Sequence, residues 1–284
     1  MSTQLHDKIS PTALFVAFLR TFSDIPFSSE IALACNAKKV ATQFFGGLLD
    51  KTLWVAPIIE QRYKSVDALL QQCGYSQILE LAAGVSPRGL IWGQASGMRY
   101  LMTDLAEMIA DNRRILGSIL SDRAGTNLSW LPLNVVNAED FDSTETILGN
   151  GPVAVVSEGL LPYLDLTEKG RVVKNVHRFL SRHGGIWITP DVTSAERMRA
   201  ILQMDPETSG LLGMISGPTG RNMAEYAWPS FDAAQECFEG AGFKVTRHLQ
   251  HELVPSIVST SQVPCDPDRV QSILSRQQVW MMQA

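Results

Sequence analysis

The sequence has few cysteines, and they are scattered. Cys35, Cys73, Cys237 and Cys265 form no CxxC pair, and none stands near a His at metal-ligand spacing. That argues against a disulfide scaffold or a zinc site and predicts reduced, mostly core thiols, with no metal. A basic excess is also missing: 24 Lys and Arg face 29 Asp and Glu, for a net charge of −5. No nucleic-acid footprint is expected, and the acidity is too mild to imply a cationic partner. No apolar run approaches the ~20 residues of a membrane span. The opening MSTQLHDKIS lacks a basic stretch followed by an apolar one, so no signal peptide is expected. These absences predict a cytoplasmic protein with neither nucleic-acid nor membrane partners and leave a homo-oligomer open. There is no internal repeat and no low-complexity linker. What the chain does have is 284 residues, 45% of them hydrophobic and 19% charged, enough for one α/β domain with an appended cap.

The pattern changes near residue 75. Before it the chain reads as helical. Ser10-Pro11 is an N-cap followed by an N1 proline, and Leu14, Phe15, Phe18, Leu19 and Phe22 recur at helical spacing. Further apolar stretches contain Ile31 and Leu33, then Val40, Phe44, Phe45, Leu48 and Leu49, with Gly46-Gly47 as a weak point. A fourth helix is predicted from near Pro57 to Gln72.

After residue 75 strands and helices alternate. Strands are predicted at Ile78–Leu81, Arg99–Asp104, Leu131–Val136, Val153–Val156, Ile186–Ile188, Phe243–His248 and Gln278–Met281. Helices are expected near Pro87 to Gln94, through Met108 to Leu120, and after caps at Thr167 and Ser230, with a last one near Asp268 to Leu274. Short strands separated by helices predict a mostly parallel sheet with helices on both faces and ligands along its C-terminal edge. Five βα units followed by strand, helix and strand resemble the seven-stranded, Rossmann-like class I methyltransferase sheet, whose last strand inserts antiparallel. The expected organisation is a helical N-terminal cap over 1–74 and a sheet domain over 75–284, with a lid insertion at about 192–229.

The strongest local feature is Glu80-Leu81-Ala82-Ala83-Gly84-Val85-Ser86-Pro87-Arg88-Gly89. A strand running into a turn of small residues and then a helix lets backbone N–H groups approach a ligand, and Gly84 permits that approach. The match to GxGxxG is poor, which a cofactor without a pyrophosphate tolerates better. Asp104 follows Gly84 by 20 residues at a strand end, where one carboxylate can accept both hydroxyls of a ribose or cap the next helix. Glu139 and Asp140, after the third strand, are placed to meet an adenine amino group or to cap a solvated loop. Glu158 directly follows an apolar strand and needs a partner there, either an ammonium group or a nearby Arg.

Ser157-Glu158-Gly159-Leu160-Leu161-Pro162-Tyr163-Leu164 resembles the (A/S)EG(L/V)LxYL segment of the leucine carboxyl methyltransferase family. Ile9-Ser10-Pro11-Thr12-Ala13-Leu14, continuing to Leu19-Arg20, resembles that family's N-terminal signature. Glu60-Gln61-Arg62-Tyr63 resembles the segment before its first strand. Together they are more similar to the branch of tetracenomycin-type polyketide O-methyltransferases than to the phosphatase-modifying branch. The resemblance implies S-adenosylmethionine as cofactor and a small-molecule methyl acceptor of secondary metabolism as partner. It implies that Arg62 pairs with the cofactor carboxylate, that Gly84 faces the methionine part and Asp104 the ribose, that Glu139 or Asp140 lies near the adenine, and that Glu158 lines the pocket. Ala82 and Arg88 belong to the cofactor turn, where the family's LGAGxDTR reads Leu81-Ala82-Ala83-Gly84-Val85-Ser86-Pro87-Arg88. Ala82 replaces a Gly, Ser86 stands where Asp is common, and Arg88 matches.

A carboxylate acceptor needs no base, whereas a phenol of pKa near ~10 gains from one. His177 and His183 read as a solvated helix face beside Arg178 and Arg182. His248 and His251 are expected away from the ligand edge or in a loop, and none of the histidines, His6 included, is assigned as base. The 192–229 insertion carries Met198, Met204, Leu211, Leu212, Met214, Met223, Tyr226 and Trp228, a set suited to a planar apolar acceptor or to plain packing. Tyr163, Tyr226 and Trp228 are the expected acceptor contacts. Three further readings stay open: protein C-terminal carboxyl methylation, a non-catalytic S-adenosylmethionine-binding protein, and a nicotinamide dehydrogenase.

Overall fold

The structure, a computed structural model, describes residues 11–120, 127–204 and 223–284. Ile9, Ser10, Leu211, Leu212 and Met214, and the side chain of Met204, lie outside the described residues.

Seven strands form one sheet in the order β3-β2-β1-β4-β5-β7-β6. They are β1 Gln77–Leu81, β2 Arg99–Asp104, β3 Leu128–Pro132, β4 Val153–Ser157, β5 Gly185–Thr189, β6 Lys244–Leu249 and β7 Gln278–Gln283. β1 through β5 run parallel, and β7 is antiparallel to both β5 and β6. This is the class I methyltransferase, Rossmann-like fold. β1 and β4 are buried at every residue, as central strands covered on both faces must be.

Four helices precede the sheet: α1 Pro11–Arg20, α2 Ser28–Ala34, α3 Ala37–Phe45 and α4 Ala56–Cys73. Gly46-Gly47 ends α3 outright, and a 3₁₀ stretch, Gly46–Val55, leads into α4. Phe15, Phe45, Val66 and Leu69 from these helices share one core with Ile78, Ala154 and Ile188 of the sheet. The other sheet face buries Leu79, Val155, Trp187 and Trp280 against α7, Leu166–His183, and the helix Phe231–Gly240. The helices between are α5 Arg88–Trp92 and α6 Ala106–Leu120.

Some local expectations shift. The third strand lies three to four residues earlier than the apolar run Leu131–Val136 predicts, because Leu128 pairs with Tyr100 and Pro132 closes the ladder. α7 is capped by Asp165, not Thr167, in a capping box with Glu168. Ser230 does cap its helix. Gly185 opens β5 at φ 118, where a Cβ would lie 2.1 Å from the carbonyl oxygen of Val153, so only glycine fits. Among the described residues no helix is long and apolar enough to cross a membrane.

Candidate cofactor site

The connections reverse direction between β1 and β4, so the crevice at their C-terminal ends is where this topology binds ligands. The turn after β1 is built for a close approach. Ala82 and Gly84 both take left-handed backbone angles, φ 50 and φ 52. A Cβ added at Gly84 would meet nothing within 4 Å, so the space before its Cα is open. The amide of Ala83 donates to the carbonyl of Thr103 at 3.0 Å, and Thr103 Oγ1 donates to the carbonyl of Glu80 at 2.9 Å. These bonds hold the turn against the end of β2.

Asp104 completes it. Its Oδ2 accepts the Gly84 N–H at 2.9 Å and its Oδ1 accepts the Leu105 N–H at 2.8 Å. A carboxylate offers about four acceptor positions, so two are spent here and two remain for a ligand. Burial pushes the Asp104 carboxyl above the usual aspartate range, against the pull of the two N–H donors. On the far side Asn112 Nδ2 donates to the Gly84 carbonyl, and Trp130 Nε1 donates to Asn112 Oδ1 at 2.6 Å. Asn112 is fully buried, and the sequence offered no sign of this brace beyond an amide inside an amphipathic helix.

Three arginines converge nearby, each differently engaged. Arg88 is fully buried. Its Nε donates to Asp67 at 2.7 Å, Nη1 to Glu80 at 2.9 Å and Nη2 to Glu158 at 2.9 Å. Tyr100 donates its hydroxyl to the second oxygen of Glu80 at 2.8 Å. Arg88 therefore sits beneath the turn, saturated by protein carboxylates. Arg20 of α1 reaches Glu158 at 3.4 Å, and its Nε is buried with no partner. Arg62 of α4 donates from Nη2 to Asp191 Oδ1 at 2.7 Å.

The alternative named for Glu158, a nearby Arg, is what the structure places there, twice over. Burial pushes the Glu158 carboxyl up, but Arg20, Arg88 and Arg62 outweigh it and hold it below the usual glutamate range. Both Arg88, at 4.2 Å, and Arg20, at 5.3 Å, stand over the Tyr63 ring. Its buried hydroxyl has no hydrogen-bond partner, and burial together with Asp67 raises its pKa well above that of an ordinary phenol.

Asp191, Arg20, Tyr63 and Asn112 were not expected as site residues. One signal was available: Glu80 is a charge inside a buried apolar strand, and such a charge demands a partner. Its partner, Arg88, stood eight residues on in the same segment.

The remaining expected residues are more dispersed. Glu139 is exposed in the segment after β3, whereas Asp140 Oδ2 caps that segment by accepting the Asn134 N–H at 2.8 Å. Tyr163 donates its hydroxyl to Thr12 Oγ1 at 3.2 Å, joining the Glu158 turn to α1. Tyr226 offers its backbone carbonyl to Lys169 Nζ. Trp228 belongs to the core on the α7 face of the sheet. It is buried, 4.6 Å from Lys169 Nζ across its ring face, and packed against Phe238. One placement is corrected outright. β6 lies two strands from β5 and points the same way, so His248 and His251 stand at the ligand edge, not away from it.

No protein-family model matches the chain, and no curated protein matches it. Solved structures do. A chain from Thermobifida fusca YX, provisionally designated a methyltransferase, aligns over 97% of this chain and 94% of its own, with a TM-score of 0.57 and 16% identity. A Nostoc punctiforme chain with a provisional O-methyltransferase designation covers 94% and 72%, at a TM-score of 0.49 and 15% identity. Magnesium protoporphyrin IX methyltransferase from Synechocystis, solved with S-adenosylhomocysteine bound, covers 85% and 91%, at 0.48 and 10%. At these identities the likeness is one of fold.

Proposed function

We propose that the protein is an S-adenosylmethionine-dependent O-methyltransferase of the leucine carboxyl methyltransferase type. Its acceptor in this reading is a carboxylate or phenolic hydroxyl of a small, polyketide-like metabolite. The observation that carries the reading is the turn at Ala82–Gly84, open before Gly84 and clasped by an Asp104 carboxylate with acceptor positions to spare. A nucleoside fits there without a pyrophosphate cradle. Arg62 keeps guanidinium donors beyond its one bond to Asp191, which suits a carboxylate at the amino-acid end. The bound cofactor supplies a sulfonium methyl open to in-line attack.

The chain's own residues then bind and align. Asp104 orients the ribose hydroxyls, Arg62 fixes the opposite end, and Glu158, held by Arg20 and Arg88, keeps a negative wall near the cationic centre. In this reading the helices α1 to α4 stand over the acceptor and exclude water. Alignment of this kind needs no base when the acceptor is a carboxylate.

Isothermal titration with S-adenosylhomocysteine tests the reading, with Asp104→Asn beside the unaltered protein. Binding that falls about tenfold or more in the variant is expected, since one charged acceptor for the ribose is lost. No binding to the unaltered protein refutes the cofactor, and equal affinity in the variant refutes the role of Asp104.

A further inference from the structure

Asp191 follows β5 and, among the described residues, accepts the one side-chain hydrogen bond of Arg62, 129 residues away in sequence. Its side chain is wholly buried, yet it is unusually well served. Oδ1 accepts the Gly159 N–H at 2.8 Å as well as Arg62, and Oδ2 accepts the N–H groups of Leu160 at 2.8 Å and Leu161 at 3.2 Å. Three of its four partners are backbone amides of the turn that carries Glu158. If Arg62 leaves, Asp191 keeps a full set of charge-stabilising donors from that turn.

The other two arginines have no such freedom. Arg88 is the common partner of Asp67, Glu80 and Glu158 and is sealed from solvent. Arg20 is 8% exposed, and Glu158, to which it is bound, has only arginine donors. Arg62 is 21% exposed, the most of the three, and its protein partner keeps three backbone amides on its departure.

We propose that Asp191 is a built-in stand-in for the cofactor's carboxylate. It holds Arg62 in the free protein and yields it when the amino-acid end of the cofactor binds. The proposal rests on the reading of the site given above and deepens it. Asp191 is then a positioning residue that sets cofactor affinity by competition: the carboxylate must displace an equivalent group already in place. A purely structural Asp191 would act in the opposite direction, because weakening its turn would weaken binding.

The test compares two ligands, S-adenosylhomocysteine, which has the carboxylate, and 5′-methylthioadenosine, which lacks it. Affinities are measured by titration calorimetry on the unaltered protein, Asp191→Asn, Arg62→Ala and the double variant. Asp191→Asn is expected to bind S-adenosylhomocysteine about tenfold more tightly, with 5′-methylthioadenosine unchanged and the gain absent in the double variant. Weaker binding of both ligands in Asp191→Asn, or unchanged affinity for S-adenosylhomocysteine, overturns the exchange. If Asp191→Asn does not fold, a crystal structure of the unaltered protein with S-adenosylhomocysteine decides. Arg62 on the ligand carboxylate and off Asp191 is expected, and Arg62 still within hydrogen-bond distance of Asp191 overturns the proposal. Failure of the unaltered protein to bind either ligand removes the reading of the site itself, and the exchange with it, whereas binding of both ligands without discrimination removes the exchange alone.

Discussion

Replacing Arg88 by Met should cost the protein much of its stability. The guanidinium donates to Asp67, Glu80 and Glu158 at 2.7, 2.9 and 2.9 Å and is wholly buried. Met fills a similar volume, so the loss is electrostatic and not a cavity effect. Three carboxylates would then face one another, with Arg20 at 3.4 Å from Glu158 as the nearest remaining cation. Removing one partner of a buried ion pair typically costs about 3–5 kcal/mol because the other charge stays buried. Some of that is recovered if a carboxylate protonates, so the upper end of the range is not expected at acid pH. For a chain of this size about 2–4 °C of melting temperature accompanies each kcal/mol, which puts the fall at about 6–20 °C at neutral pH.

The assay is denaturant unfolding at pH 7 and pH 5 of the unaltered protein, Arg88→Met and Arg88→Lys. Lys keeps the charge but not the fork that meets three carboxylates at once, so its loss should be intermediate. The pH sign follows from Glu158. Its folded pKa lies below the ordinary glutamate value, so its stabilising contribution is present above that value and is lost as pH falls through the folded pKa. At pH 5 that contribution is still whole in the unaltered protein, whereas in Arg88→Met burial and mutual repulsion raise the orphaned carboxylates and let them take up protons, so the two proteins should converge as pH falls. A loss under about 1 kcal/mol at pH 7, or a gap that widens at pH 5, would refute the view of Arg88 as the buried counter-charge beneath the turn.

Two further outcomes are expected. Ala82 holds φ 50 at the cofactor turn, a conformation costly for an L residue, so Ala82→Gly should raise stability by about 0.5–1 kcal/mol after the extra chain entropy of glycine is deducted. A denaturant midpoint that falls would show the turn does not carry this strain. Lys169 is buried against the Tyr226 carbonyl and the Trp228 ring, and burial lowers its pKa from 10.5 to about 8 despite the nearby charges of Asp191, Asp165 and Cys237. Between those two values the folded protein has released a proton that the unfolded chain still holds, so this residue makes stability rise with pH across that window. The rise should be absent in Lys169→Met, and equal pH slopes in the two proteins would show that Lys169 titrates normally.

The fold was legible because its signals are local. Four-residue apolar runs such as Val153–Val156 suit strands covered on both faces of a parallel sheet, and strand, helix, strand after the fifth unit resembles the sheet in which the last strand inserts antiparallel, as β7 does. The failures were local ambiguities of the same kind. Leu131–Val136 is as apolar as a strand, but the ladder is set by where Leu128 meets Tyr100, and nothing within the run encodes that register. Asp165 outcompeted Thr167 as a cap because Glu168 stands three residues after it and completes the box. His248 was misplaced because the direction of β6 is decided by its pairing with β7, not by its own sequence.

The site divides along the same line. The place of Asp104 is legible because a strand end and a spacing, both written in one stretch of chain, bring its carboxylate onto the Gly84 turn. The arginines are not, because identical guanidinium groups acquire different roles from partners 70 to 138 residues away, as Glu158 is to Arg88 and to Arg20. Sequence placed Arg62 and Arg88 together as cofactor residues. The structure separates them by burial and by what their partners retain: Arg88 is the shared cation of three buried carboxylates, of which Glu80 keeps one hydroxyl donor and Glu158 one distant guanidinium, while Asp191 can release Arg62 and keep three amides. A side chain's availability to a ligand is therefore a property of its partner's remaining bonds. In the proposed exchange it is Asp191, a residue with no motif of its own, that sets how tightly Arg62 holds a ligand carboxylate.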